Sequence, residues 1–526
     1  MAQEPKRAPH LLSHQEDLLW EWVERYVQPR VDRRKHGWML EQSYNLIVPT
    51  KVGNRRAPET GGPGTHWREG GSKRTNLLKG NITRRGARND MFTDINRIAE
   101  LAKEDPKRQF SSIAHLITGE KLYEAFRGLR KNASAGIDGV TYQQYETNAE
   151  EDIRQLHQRL KEGKYRAQPL RRVYIPKEDG KQRPISIPAL EDKIVQKATV
   201  DLLNAIYEQD FLDCSYGFRP GRGQHQALEE VGRIICTRPI GWILEIDIRS
   251  YFDSIVRSAL VERIEKRVTD GSVLRRIGKW IKVGVIEDGR LLVSETGTGQ
   301  GQPISPLLAN IFLHYILDEW FENEVKPRLK GEAYEIRFAD DAILCFQHKE
   351  DAEKVLAVLP KRFEKYGLTL HPEKTRLIEF GRYAAKNAKK QGKKPATFNF
   401  LGFVHICARS RKGKFTVHGK TIAKRFRRGL KAVGDWCKRH RHDPVKEQQK
   451  TLNAKLRGHY QYYGRPTNYR SIWQFYRRVQ RIWKEWLGRR TRGKRLTWER
   501  FKDILRQFPL LLPRITHAWA GAGSHA

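Results

Sequence analysis

Two adjacent carboxylates, Asp340 and Asp341, stand between two apolar runs, Tyr334–Phe338 and Ala342–Phe346. Both runs contain strand-favouring residues such as Tyr, Ile and Phe. Along one continuous strand, neighbouring side chains point to opposite faces. Two neighbouring acids therefore serve one site only where the chain turns. The pattern predicts a tight hairpin with the acids at its tip. Acids at such a tip suit divalent cations, which take hard oxygen ligands. A plain polar turn between two strands is the competing reading.

A second carboxylate weighs against that alternative. The segment Gly241–Asp253 reads as a strand ending in Asp247. Trp242, Leu244 and Ile246 fall on one face, and Ile243, Glu245 and Asp247 on the other. Asp247 thus lies at the end of a half-buried strand, where a metal ligand fits. As an alternative, it caps a following helix. Three carboxylates from two strands could hold two Mg²⁺ about 4 Å apart, the arrangement used for in-line displacement at phosphorus.

These residues resemble the palm of a reverse transcriptase, and further blocks follow in that family's order. Leu129–Thr141 resembles the block upstream of the fingers in bacterial retroelement enzymes, and Val173–Pro188 resembles the fingers hairpin. Ser215–Arg222, Gly299–Pro306, Leu368–Thr375 and Phe398–Phe403 match four more hallmarks. Together the blocks cover roughly residues 95 to 405. Beyond them, Leu452–Tyr463 resembles the maturase, or X, domain that serves as the thumb in group II intron-encoded proteins. Leu511–His517 resembles their closing segment.

The resemblance implies an α+β, right-hand polymerase fold. Fingers and palm would span 96–405. An α-helical thumb/maturase domain with a C-terminal tail would span 406–526. A partly loop-rich N-terminal extension would occupy 1–95. The implied activity is RNA-directed DNA synthesis from dNTPs, on an RNA template with a DNA primer or target. The implied partner is group II intron RNA, in splicing and retrohoming.

In this reading Asp247, Asp340 and Asp341 hold two Mg²⁺ with the backbone carbonyl of Ile248. Lys177 and Arg183 flank the Gly180 turn and match positions that grip the nucleotide's phosphates. Phe252 matches a ring beneath the sugar that rejects a 2′ hydroxyl. Gln302 matches a residue near the sugar and template. Two departures stand out. Phe338 replaces the family's usual Tyr, which removes only a hydroxyl. About 30 residues follow Trp498, without the paired Cys or His of the endonuclease region many relatives carry. The second departure predicts a DNA primer taken from elsewhere, such as a replication fork. Two other readings are a domesticated enzyme in repair or defence, and an RNA-binding splicing cofactor with a relic polymerase. The intact acids favour the polymerase.

Composition agrees with a polyanionic partner. The 526 residues include 100 Lys and Arg against 61 Asp and Glu, a net charge of +39. No apolar run reaches 18 residues and no signal-peptide pattern appears, which predicts a cytoplasmic, nucleoid-associated protein without membrane contact. Residues 401–500 carry 29 Lys and Arg against 5 Asp and Glu, a net of +24. They also carry Trp436, Trp473, Trp483, Trp486 and Trp498.

Ile472, Phe475, Tyr476, Val479, Ile482, Trp483, Trp486 and Leu487 recur at helical spacing, so most of these aromatics read as core. Arg477 and Arg478, on the opposite face, become RNA-backbone candidates, with Arg84, Arg85 and Arg88 near the N-terminus. Residues 382–394, with six Lys and Arg, read as an exposed basic loop. The five cysteines have no Cys-x-x-Cys spacing, which argues against structural zinc. Whether the chain forms a dimer is left open.

Overall fold

The computed structural model describes residues 94–176, 182–287, 290–292, 296–410, 412–490 and 496–517. Arg84, Arg85, Arg88 and Lys177 lie outside these residues, as does the expected N-terminal extension as far as residue 93.

Helices build the first layer. Ile95–Glu104 begins at Asp94, whose carboxylate accepts from the Asn96 N–H at 3.3 Å. Gly119–Arg127 begins at Thr118 in the same way. Both pack on the helix Leu190–Asp210. That third helix buries Ile194, Val195, Leu202, Leu203 and Ile206 around most of its circumference, as a helix apolar on several faces must.

The described residues form three sheets. In the first, β1 (Leu170–Pro176) pairs antiparallel with β2 (Gln182–Ile187). The central sheet has the order β6–β7–β3–β8 and is antiparallel throughout. Its strands are β3 (Trp242–Ile246), β6 (Ala333–Phe338), β7 (Asp341–Phe346) and β8 (Arg376–Glu379). The first sheet is completed by β4 (Val285–Glu287) and β5 (Arg290–Leu292), with β4 parallel to β1.

β3 alternates as its sequence predicts. Leu244 and Ile246 face the main helical core, while Ile243 faces a second core with Ile336, Ile343, Phe380 and Phe398. The strand expected to be half-buried is thus covered on both faces. The second cover is a third sheet of β9 (Phe398–Phe400), β10 (Phe403–Arg409) and β11 (Phe415–Thr421), together with the helix Gln224–Thr237. The expected basic loop at 382–394 contains the helix Ala384–Lys390, because its Ala and Lys residues are strong helix formers.

Four helices, Ala423–Arg439, Val445–Tyr463, Tyr469–Gly488 and Trp498–Gln507, enclose a third core. The predicted stripe of the third helix packs there, with Ile472, Phe475, Val479 and Trp483 nearly sealed. Each such side chain contributes about 1.5–3 kcal/mol on burial. Trp436 and Trp486 pack against this core, but Trp473 and Trp498 are exposed, so the expectation of buried aromatics fails for those two. Among the described residues no helix is long and apolar enough to cross a membrane.

Candidate active site

β6 and β7 are joined by a two-residue turn. Phe338 pairs with Asp341, which leaves Ala339 and Asp340 at the tip. Ala339 takes φ +57°, a left-handed value that a residue with a Cβ holds only when its surroundings insist. Here they do. Arg337 donates from Nη1 to the Ala339 carbonyl at 2.9 Å and to Asn310 Oδ1 at 3.1 Å. Asn310 donates to the Gly217 carbonyl at 2.6 Å. Gly217 runs so close that a Cβ on it would sit 2.4 Å from the Ala339 nitrogen. Its neighbour Tyr216 donates its N–H to the Arg337 carbonyl at 2.9 Å.

Arg337 is fully buried and holds both oxygens of Asp318, with Nε at 2.7 Å from Oδ1. Such bidentate pairs fix geometry as well as charge. Asp318 ends a π-helical stretch, His314–Asp318. Cys214 and Glu335 complete a cluster whose ligand atoms lie within 4.8 Å of one another. Burial and the Asp318 charge hold the Glu335 carboxyl well above the usual range, and burial raises the Cys214 thiol. Within this cluster Asp318 has both oxygens engaged by Arg337.

Asp247 directly follows β3, whose Ile246 pairs with Ala342 of β7. Its carbonyl accepts from the His371 N–H at 2.8 Å, and Lys374 Nζ lies 3.2 Å from its carboxylate. It caps no helix. The short helix Tyr251–Ser254 starts after Ser250, at φ +43°. The capping alternative is thereby removed.

The three acids feel one another. Burial raises the Asp340 carboxyl, Asp247 raises it further, and Arg183 and Arg337 oppose the rise. Asp341 is pushed up to about 7, first by the protein crowded around it and then by the charge of Asp340. Its side chain still meets solvent, so it occupies an open but densely walled recess. Carboxylates that raise one another in this way are relieved by a bound cation. The donor set is all oxygen, which fits Mg²⁺.

The remaining candidates are placed as follows. Arg183 is exposed on β2, and its charge reaches Asp340. Ile248 is buried beside Asp247 and bridges to Leu370. Phe252 is half-buried, and its carbonyl accepts from the Thr298 N–H at 2.8 Å. Gln302, matched to a residue near the sugar and template, is buried. It is 3% exposed, accepts from Gln196 at 2.8 Å and donates to the Trp280 carbonyl at 3.1 Å. With both ends of its amide engaged inside, Gln302 braces the turn at Gly299. Arg477 and Arg478 are exposed on the helix Tyr469–Gly488, over the third core. Sequence reasoning missed Gly217, Asn310, Asp318, Arg337 and Lys374 as supports. Gly217 and Lys374 lie inside blocks it had singled out, but nothing local pairs Arg337 with Asp318.

Residues 175–405, which contain all three acids and Arg183, match the family described as reverse transcriptase (RNA-dependent DNA polymerase). This segment, under half of the chain, is similar to reverse transcriptases. The chain is also similar to several known proteins. It is 32% identical over 302 residues to the group II intron-encoded protein LtrA of Lactococcus lactis, covering 55% of this chain and 50% of that one. It is 38% identical over 225 residues to protein YkfC of Escherichia coli, covering 41% and 59%. A protein in the cob intron of Schizosaccharomyces pombe is 31% identical over 242 residues, covering 44% and 29%. The chain therefore spans between about a third and three-fifths of the lengths of these relatives.

Proposed function

We propose that the chain is an RNA-directed DNA polymerase of a group II intron, and that it also binds its intron RNA to assist splicing and retrohoming. The central sheet would be the palm, β1 and β2 the fingers hairpin, and the C-terminal helices the thumb and maturase domain. The observation that carries this reading is that Asp247 acts electrostatically on both Asp340 and Asp341, and Arg183 on Asp340, within the segment that matches the reverse transcriptase family. The likeness to intron-encoded proteins supports the intron RNA as partner.

Asp247, Asp340 and Asp341, with the Ile248 carbonyl, would hold two Mg²⁺. When bound, such ions lower the pKa of a 3′ hydroxyl and neutralise departing pyrophosphate. The rest falls to the chain's own groups. Arg337 and Gly217 keep Asp340 at the tip. Lys374 offsets the charge of Asp247. Arg183 and Lys177 grip the triphosphate through charge-assisted hydrogen bonds. The Phe252 ring closes the space that a 2′ hydroxyl would need. Arg84, Arg85, Arg477 and Arg478 hold RNA backbone.

The test is Asp340→Ala in the full chain. Primer extension on an RNA template with Mg²⁺ should vanish while RNA binding persists. Wild-type extension would remove the assignment. Loss of extension by the wild type itself, with splicing assistance retained, would favour a binding protein with a relic polymerase.

A further inference from the structure

The helix Tyr469–Gly488 carries a feature that backbone contacts do not use. Tyr469 and Trp473, one turn apart, are 42% and 39% exposed although both are large aromatics. Their rings lie 6.4 Å apart between centroids and 27° from parallel. At this separation they form an offset, near-parallel pair, and both remain open to solvent. An open depression of about 400 Å³ is lined by Tyr469, Arg470 and Trp473. We infer that this slot takes one unpaired nucleobase of an RNA strand whose phosphates lie along the neighbouring arginines.

The surroundings select the occupant. Arg470, Arg477, Arg478 and Arg481 are exposed beside the rings, and none makes an ion pair among the described residues. The helix carries one acid, Glu485, which is paired with Arg489. An apolar protein surface seated here would bury unpaired guanidinium groups, at a high cost. A second copy of the same face would bring like charges together. A polyanion meets neither objection. A double helix hides the faces of its bases, whereas loops and single strands offer them to aromatic rings. Stacking on such rings is tolerant of sequence because every base has a π-face. The slot therefore reads unpairedness, not sequence.

This inference rests on the reading of the chain as an RNA-binding polymerase, and its test separates the two. The probes are a single-stranded RNA carrying one 2-aminopurine, and an RNA duplex of equal length. Full-length wild type should quench the fluorophore and bind the single strand. In Tyr469→Ala/Trp473→Ala, quenching should disappear and single-strand affinity should fall about tenfold or more, while duplex affinity stays within twofold. Because the rings carry no charge, the salt slope should not change. Tyr469→Phe/Trp473→Phe should restore binding, which a merely misfolded variant could not explain. Equal losses for single strand and duplex would overturn the slot. So would unchanged quenching, or a change confined to the sedimentation coefficient, which would make this a protein-contact face. Primer extension on a short preformed template–primer serves as the control. Its loss in wild type would defeat the polymerase reading and leave the slot standing.

Discussion

The Asp340 turn and the exposed face of the helix Tyr469–Gly488 are organised by opposite rules. At the turn, a left-handed alanine, a glycine in backbone contact and a buried arginine each fix one neighbour. No member has a substitute. On the helix face, four exposed arginines accompany two exposed rings, and none of the four makes an ion pair among the described residues. The first arrangement suits chemistry, where reacting groups must be held within fractions of an ångström. The second suits adhesion to a polyanion, where phosphate contacts add up. Single changes should therefore be steep at the turn and graded on the face.

The steepest contrast lies at Gly217, which touches no substrate. Gly217→Ala drives a methyl into the Ala339 backbone, which cannot move aside as a flexible side chain would. A shift of about 1 Å in Asp340 should cost on the order of a hundredfold in primer extension. Circular dichroism and RNA affinity should stay near wild type. Undiminished extension would break the claim that this contact places the acid.

A second effect comes from the acids themselves. A carboxyl raised to about 7 in the folded chain, against an ordinary 3.8, binds protons more tightly folded than unfolded. Its ionisation therefore destabilises the metal-free protein. The cost is absent below the unfolded value and complete above about 7. Without Mg²⁺, Tm should carry a falling component between pH 4 and 7. Asp341→Asn should flatten that component, and Mg²⁺ should reverse it at pH 7 to 8. Equal pH profiles for the wild type and Asp341→Asn, without the ion, would detach Asp341 from the cluster.

The two regions were also unequally legible in the sequence. The hairpin tip could be read because its signal is local, two acids between two strand-like runs. The apolar stripe of the helix Tyr469–Gly488 could be read for the same reason. What holds the tip could not. Arg337 meets Asp318 only after a helix with π turns swings the acid beneath β6, and Gly217 meets Ala339 only in three dimensions. The double cover of β3 was hidden too, since a strand with apolar residues on both faces announces no partner for the second. Trp473 was misjudged with the other tryptophans because composition does not tell which face a ring is on.

A smaller effect is expected at Phe252, whose ring is half-buried. Phe252→Ala should raise ribonucleotide incorporation roughly tenfold in a competition assay, consistent with the 1–3 kcal/mol typical of steric discrimination. An unchanged ratio would move the sugar gate to another residue.

The smallest single effects belong to the arginine face, and there the size is itself the argument. Each phosphate contact contributes about 0.7–0.9 to the slope of log affinity against log salt. Arg477→Glu/Arg478→Glu removes two candidate contacts and should lower that slope by about 1.5, with a modest fall in affinity at physiological salt. Folding should not suffer, because Ile472, Phe475, Val479 and Trp483 carry the packing from the other side of the helix. Intron splicing assistance should fall with the affinity and recover as salt is lowered. The ring variants should behave differently, losing affinity for single strands at every salt concentration. Additive slopes and non-additive losses would then separate charge from stacking on one helix. Identical slopes for wild type and double reversal would mean that these arginines are only solvated, and that the graded half of the comparison belongs to another basic surface of the chain.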